Sequence, residues 1–325
     1  MKKNTLYGIL YGASGSLWWG TIGVIYFKSS SFAGPIELVV HRTIWTAFSL
    51  IITTSLFSKW DSFFNIIKRK KEMIYLLITG ILIFTNWSTW IYAVVTNRII
   101  DASFGYFIMP ILSVFFGILF FKEPYNKQKI LSVLLVAISV AYLLLNFASV
   151  PWVGLIVAFT WSFYTVLRKK ISVQSDIGLL IESIFLTPIA LIIFYLISID
   201  GNYYFSFDNP EIAFWLFLAG PITVIPLFLF LKGVNLAGLG TSGMLFFITP
   251  TCQFLMGAFY YNEYFDLNKL IGFIIIWIAV AIYLHDLSRE KISIQYFRLL
   301  KMPFLIMKIG KRYGKTLNQK KNMMW

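Results

Sequence analysis

The sequence predicts an all-α integral membrane protein in which ten transmembrane helices form two inverted five-helix repeats. Three observations predict this. The chain is 58% hydrophobic and only 13% charged, and its charges are clustered. Lysine and arginine fall unequally on alternate connections. The two halves of the chain align at a spacing of 140 residues.

A soluble domain carries about 25% charged residues because its surface faces water. This chain has half that share and a mean hydropathy of +0.76. No Asp, Glu, Lys or Arg occurs in 4–27, 73–97, 102–121, 130–167, 212–231 or 233–262. Crossing the hydrocarbon layer takes about 20 apolar residues, so each gap holds at least one span. In order, the spans are expected near 6–27, 35–57, 73–95, 102–121, 128–145, 150–167, 177–199, 212–231, 238–261 and 268–284. The first begins after Met1-Lys2-Lys3 like a signal peptide, but its apolar stretch runs on to Phe27 and many more follow, so it reads as a retained helix. The longest connection, 58–72, reads as a polar stretch containing Lys68-Arg69-Lys70-Lys71.

Positive residues concentrate on the cytoplasmic side of a membrane. With the N-terminus inside, 24 of the 28 Lys and Arg residues fall inside and Lys28, Arg98 and Lys269 fall outside. Arg42 lies within a span. The expectation is a multi-pass protein of the cytoplasmic (inner) membrane with both termini cytoplasmic. The net charge of +14 lies between apolar runs and in the segment 286–325, where anionic lipid rather than nucleic acid is the fitting partner. Cys252, the single cysteine, can form no intramolecular disulfide.

The 140-residue shift places Phe107-Ile108-Met109-Pro110 on Phe247-Ile248-Thr249-Pro250, Gly117 on Gly257, Glu123 on Glu263 and Lys129 on Lys269. It also places Arg42 on Glu182. Five spans per copy is an odd number, so the second copy enters the membrane upside down. The units are then 1–145, 146–285 and a basic cytoplasmic tail, 286–325. Inverted repeats are a recurring architecture of secondary transporters, whose halves rock around a central site.

Trp18-Trp19-Gly20, His41-Arg42-x-x-Trp45, Asn86-Trp87, Ala102-Ser103-Phe104-Gly105-Tyr106-Phe107-Ile108-Met109-Pro110 and Ser162-Phe163-Tyr164-x₃-Arg168-Lys169-Lys170 occur in that order. Glu182 with Pro188, and the Pro250-x₁₂-Glu263 segment, extend the set. Together they resemble the RarD branch of the EamA family, in the drug/metabolite transporter superfamily, over roughly residues 5–285. The resemblance implies a ten-helix carrier with cytoplasmic termini, a central cavity, and its fifth and tenth spans at the periphery. Two departures remove polar groups near that cavity. Met109 stands where such proteins usually have Asn, and Phe246-Phe247-Ile248-Thr249 is less polar than usual.

Arg42 and Glu182 are the charges deepest within spans, where a charge costs at least about 2.5 kcal/mol and needs a partner, water or a ligand. One reading gives Arg42 an anionic substrate group and Glu182 a proton or a cationic group. The other makes both of them helix locks. His41, about 100° around the helix from Arg42, reads as structural. Asn86, Ser103, Tyr106 and Tyr164 are candidates for hydrogen-bonding a substrate, or equally for bonding helix to helix. Trp18, Trp90 and Phe247 are candidates for an aromatic wall, or for packing. Pro110 and Pro250 are candidate kinks at the cavity. Glu123 and Glu263 read as caps on the helices that follow them. Gly8, Gly12, Ser16 and Gly20 recur every four residues and mark a close helix contact.

The expected function is secondary transport of a small polar or amphipathic metabolite, drug-like compounds included, by alternating access, with proton coupling left open. No Walker A pattern points to ATP drive, and no cofactor or metal is expected. Two histidines and one cysteine offer little to a membrane-embedded enzyme. A receptor or scaffold bundle has no need of two-sided access. Partners are then a small-molecule substrate and lipid, with a homodimer left open.

Overall fold

The computed structural model describes residues 3–122, 126–146, 152–237, 245–264 and 266–286. The tail beyond Asp286 and Glu123 lie outside the described residues. Among those described, the regular structure is all helical and there is no strand.

The first crossing is α1 (Lys3–Gly20) followed by α2 (Ile22–Ser29). They meet at Thr21, whose hydroxyl donates to Leu17 O at 2.7 Å while the backbone ladder runs on from Ile25 N to Thr21 O at 2.9 Å. Gly34, at φ +70°, turns the chain back, and Pro35 then starts α3 (Gly34–Leu56) with a φ suited to a helix's first turn. The segment expected to be a polar connection holds α4 (Trp60–Ile67) instead. Its apolar residues recur at helical spacing, and Phe63 and Ile66 are buried against the bundle while Phe64 stays exposed.

Next come α5 (Lys70–Val95), α6 (Ile99–Phe121), α7 (Lys127–Asn146), α8 (Trp152–Lys169) and α9 (Ser175–Ile199). The eighth crossing is α10 (Pro210–Phe217) continued by α11 (Ala219–Ala237), opened by Asn209, whose side chain accepts from Ile212 N at 3.3 Å. The ninth contains α12 (Ile248–Leu255) and a π-helical turn, Met256–Tyr260. The tenth is α13 (Leu267–Asp286).

The polarity of the bundle is reversed relative to a protein in water. Leu134, Ile138, Ile192, Leu196 and Ile278 are each at least half exposed, whereas Thr46, Asn86, Ser103, Ser139 and Ser162 are fully buried. Only a hydrocarbon solvent makes that arrangement favourable, since lipid tails welcome the first set and offer the second no hydrogen bonds.

Helix pairing obeys the inverted repeat. Under the 140-residue shift the α1–α11 pair maps onto α8–α5, the α12–α1 pair onto α6–α8, and the α11–α3 pair onto α5–α9. The α3–α9 and α6–α12 pairs each map onto themselves and so lie on the two-fold axis. Spans five and ten also map onto each other and meet across the same axis. There α7 and α13 meet through Ser139 Oγ donating to Gly272 O at 2.9 Å and Tyr142 OH donating to Asn268 Oδ1 at 3.1 Å.

Small residues set the closest approaches. A Cβ on Gly233 of α11 would sit 2.6 Å from Gly12 Cα of α1, and one on Gly20 would sit 2.8 Å from Thr249 O of α12. Gly233→Leu should therefore force α1 and α11 apart. Overpacking of this kind costs about 1–3 kcal/mol where neighbours can shift, and backbone is the neighbour here. Thermal unfolding of the purified protein should show a clear drop in midpoint, while Ile81→Leu on the exposed face of α5 leaves it unchanged.

Candidate functional site

The α3–α9 pair carries one deep charge on each helix, Arg42 on α3 and Glu182 on α9, and the two are handled in opposite ways. Arg42 is 7% exposed. Its guanidinium carbon lies 4.4 Å from the Trp87 ring centre, 5.2 Å from Phe27 and 5.6 Å from Trp90. Tyr26 and Tyr106 are the phenols close enough to feel its charge. Among the described residues it forms no ion pair, and its Nε and Nη1 are buried without a hydrogen-bond partner. A desolvated cation–π contact is worth about 2 kcal/mol. The cage offsets part of the cost of burying the cation and leaves its N–H groups unanswered.

Glu182 is fully buried and answered from two helices. Its Oε1 accepts from Thr79 Oγ1 of α5 at 2.6 Å, and its Oε2 accepts from Tyr164 OH of α8 at 3.2 Å. Arg168 Nη1, at the end of α8, lies 3.7 Å from Oε1. Room for this comes from glycine: Gly80 on α5 faces Glu182, and Gly178 lies under the Arg168 guanidinium. Nearby, Lys59 pairs with Asp176, so α9 is ion-paired to both α8 and the start of α4.

His41 faces away from the cage. Its Nδ1 accepts from Trp45 Nε1 at 3.1 Å, its Nε2 lies 3.5 Å from Glu37 Oε1, and its ring packs 4.8 Å from that of Phe205. Glu37 is the buried acid that sequence reasoning passed over. It accepts from Tyr204 N at 3.0 Å and Phe205 N at 2.9 Å, tying the chain after α9 to the start of α3.

The other expected site residues are distributed as follows. Tyr106 OH donates to Asn86 Oδ1 at 3.2 Å, and Asn86 Nδ2 donates to Val157 O and Thr160 Oγ1, both at 3.1 Å. Both side chains are thus committed to joining α5, α6 and α8. Ser103 Oγ donates within its own helix, to Ile100 O at 2.8 Å. Trp18 is half-buried and Trp90 buried, and the indole Nε1 of each has no partner among the described residues. Phe247 packs with Phe107 and Phe254 in a cluster between α6, α7, α12 and α13. Its neighbour Phe246 instead stacks 6.1 Å from Trp161, which meets Tyr106 at 6.2 Å and Tyr164 at 5.6 Å. An aromatic band therefore runs from beside Arg42 to the hydroxyl that holds Glu182. Pro110 lies within α6, with its side chain outside what is described. Pro250 stands in the first turn of α12, after a break at Phe246–Phe247, where a missing N–H leaves no gap.

Glu263 caps a helix other than the one following it. Its oxygens accept from Ile99 N at 2.7 Å and Ile100 N at 2.8 Å, at the start of α6 in the other repeat. Asp266 performs the local capping of α13, accepting from Lys269 N at 2.7 Å. Lys269 Nζ in turn lies 3.2 Å from Asp101 Oδ1.

Removing one partner of a buried ion pair strands the other charge, at a cost of about 3 kcal/mol or more. Arg168→Gln should accordingly lower the unfolding midpoint strongly. Adding Glu182→Gln should recover much of the loss, a coupling that a double-mutant cycle reads directly.

Residues 6–145 and 149–284 each match the EamA-like transporter family. Protein RarD of Salmonella typhi is 31% identical over 284 residues, covering 87% of this chain and 96% of that one. An uncharacterized transporter of Vibrio cholerae is 33% identical, covering 88% and 94%. Transporter YojE of Bacillus subtilis is 32% identical, covering 86% and 94%. A crystal structure at 17% identity, covering 87% of this chain and 98% of its own, shares the fold with a TM-score of 0.54. Two tandem family domains on a ten-crossing bundle, with RarD proteins among the relatives at this identity, lead to one conclusion: the chain is a RarD-like member of the EamA-like transporter family.

Proposed function

We propose that this protein is a secondary transporter of the cytoplasmic membrane that moves a small polar or amphipathic metabolite by alternating access. The observation that carries the reading is the placement of Arg42 and Glu182. They occupy equivalent positions in the two inverted repeats, buried on two helices at the pseudo-two-fold axis. A rocking motion about that axis would expose them to opposite faces of the membrane in turn.

The ends of the bundle supply what such a motion must break and remake. At one end are the Lys59–Asp176 and Arg168–Glu182 pairs. At the other are Glu37 on the backbone of Tyr204 and Phe205, Glu263 on the start of α6, and the Arg98–Asp101–Lys269 cluster. Exchanging one set of polar contacts for the other is the physical content of a gate.

Glu182 is the candidate for proton coupling. The polar groups facing it are Thr79 from α5 and Tyr164 and Arg168 from α8, so proton uptake would release Arg168 and loosen one gate. In sealed proteoliposomes, an imposed pH gradient should drive substrate accumulation, and Glu182→Gln should abolish the gradient dependence. Transport that continues with its pH dependence intact in that variant removes Glu182 from the coupling step.

The Lys and Arg bias supports cytoplasmic termini, with the basic segment beyond Asp286 against anionic lipid. Reporter fusions near residues 60 and 172 should both report the cytoplasm. Opposite faces for the two would sink the inverted arrangement.

A further inference from the structure

Around Arg42, the buried nitrogens left unanswered among the described residues are of one kind. Arg42 Nε and Nη1 and Trp90 Nε1 have no partner there, and guanidinium and indole nitrogens donate without accepting. Trp90 lies under the guanidinium, its ring centre 5.6 Å from the guanidinium carbon. Thr46, one turn along the same face of α3, adds a fully buried hydroxyl with no partner. The nearby phenols already donate elsewhere, Tyr26 to Trp215 O at 2.7 Å and Tyr106 to Asn86. Donors with no acceptor are completed by an acceptor-only group, and a carboxylate is the small-molecule group that also cancels the charge.

The repeat sharpens the point. Lys28 and Arg42 occupy the positions equivalent to Arg168 and Glu182. Where the second repeat sets a cation against an anion, the first carries a cation at both positions. Lys28 Nζ is held by Val95 O at 3.0 Å and faces the charge of Glu263, not Arg42. Arg42 is thus left without an anion among the described residues, and we take the ligand to supply it. Beyond the cage lies the band Tyr106, Phe246, Trp161 and Tyr164, which offers flat apolar faces and ends at a carboxylate. A second negative charge on the ligand would meet Glu182 rather than a cation.

We infer that the substrate class is the organic monocarboxylate with a flat apolar body, its carboxylate taken by Arg42 and the Trp90 indole N–H group and its body laid along the aromatic band. The inference rests on the carrier reading only for the word substrate. The site itself stands on the Arg42 cage.

The test titrates the purified full-length chain with benzoate, its neutral isostere benzamide, its cationic counterpart benzylamine and the dianion phthalate. The readouts are intrinsic fluorescence from the 11 tryptophans and the thermal midpoint. Benzoate should bind saturably, benzamide and phthalate at least tenfold more weakly, and benzylamine not at all. Arg42→Gln should lose at least tenfold in benzoate affinity, and Arg42→Lys should recover part of it. Trp90→Phe keeps the ring but removes a donor, and should weaken benzoate severalfold. Trp90→Phe decides the matter if Arg42→Gln fails to fold. No saturable benzoate response at millimolar concentration, equal affinity for benzamide, or indifference to both Arg42→Gln and Trp90→Phe overturns the assignment. Arg42-dependent binding without flux in proteoliposomes sinks the carrier reading and leaves the site. Flux of some other compound untouched by Arg42→Gln does the reverse.

Discussion

Hydrocarbon offers a charge nothing, so every charge placed within it must be answered by protein, water or ligand. The architecture follows from how that demand is met at two positions. Glu182 is met inside the chain by Thr79, Tyr164 and Arg168. Among the described residues, Arg42 is met by the faces of three rings. The carboxylate oxygens are hydrogen-bonded and faced by a cation, whereas Arg42 Nε and Nη1 have no partner there. Symmetry-equivalent positions thus meet the same demand in two different ways.

The repeat signal in the sequence has a structural reason. The Pro-x₆-Gly-x₅-Glu-x₅-Lys pattern in the second copy builds the joint with the first. Gly257 leaves space for Ile100, since a Cβ there would lie 2.8 Å from its Cγ1. Glu263 then reaches the free N–H groups that open α6, and Lys269 reaches Asp101. Scarce residue types persist at fixed spacing because each meets a fixed demand across the interface, whereas the surrounding Leu, Ile and Phe only need to be apolar.

What the sequence revealed and what it concealed divide along the same line. Crossings were readable because charge-free runs of a given length have one use in a membrane protein. The depth of Arg42 and Glu182 was readable for the same reason. Partners were not. Arg168 looked like part of a topology-setting basic cluster, and nothing in its neighbours distinguishes it from Lys169 or Lys170. Glu37 lies near a span end and carries no signal of its own, yet it is 2% exposed and accepts from two backbone N–H groups. Phe246 and Phe247 are equivalent by composition, and only the break before α12 decides which of them joins the aromatic band. One signal was available and missed: the 140-residue shift also pairs Gly80 with Gly220, the glycines that let α5 approach Glu182 and α11 approach Trp45.

The cap that Glu263 provides has a bearing on biosynthesis. The amide groups that begin α6 are completed by a side chain more than 160 residues further along the chain. A ribosome that has finished the first repeat has therefore released a helix whose leading end still lacks its cap. Until the ninth crossing arrives, water or lipid headgroups must answer those amides.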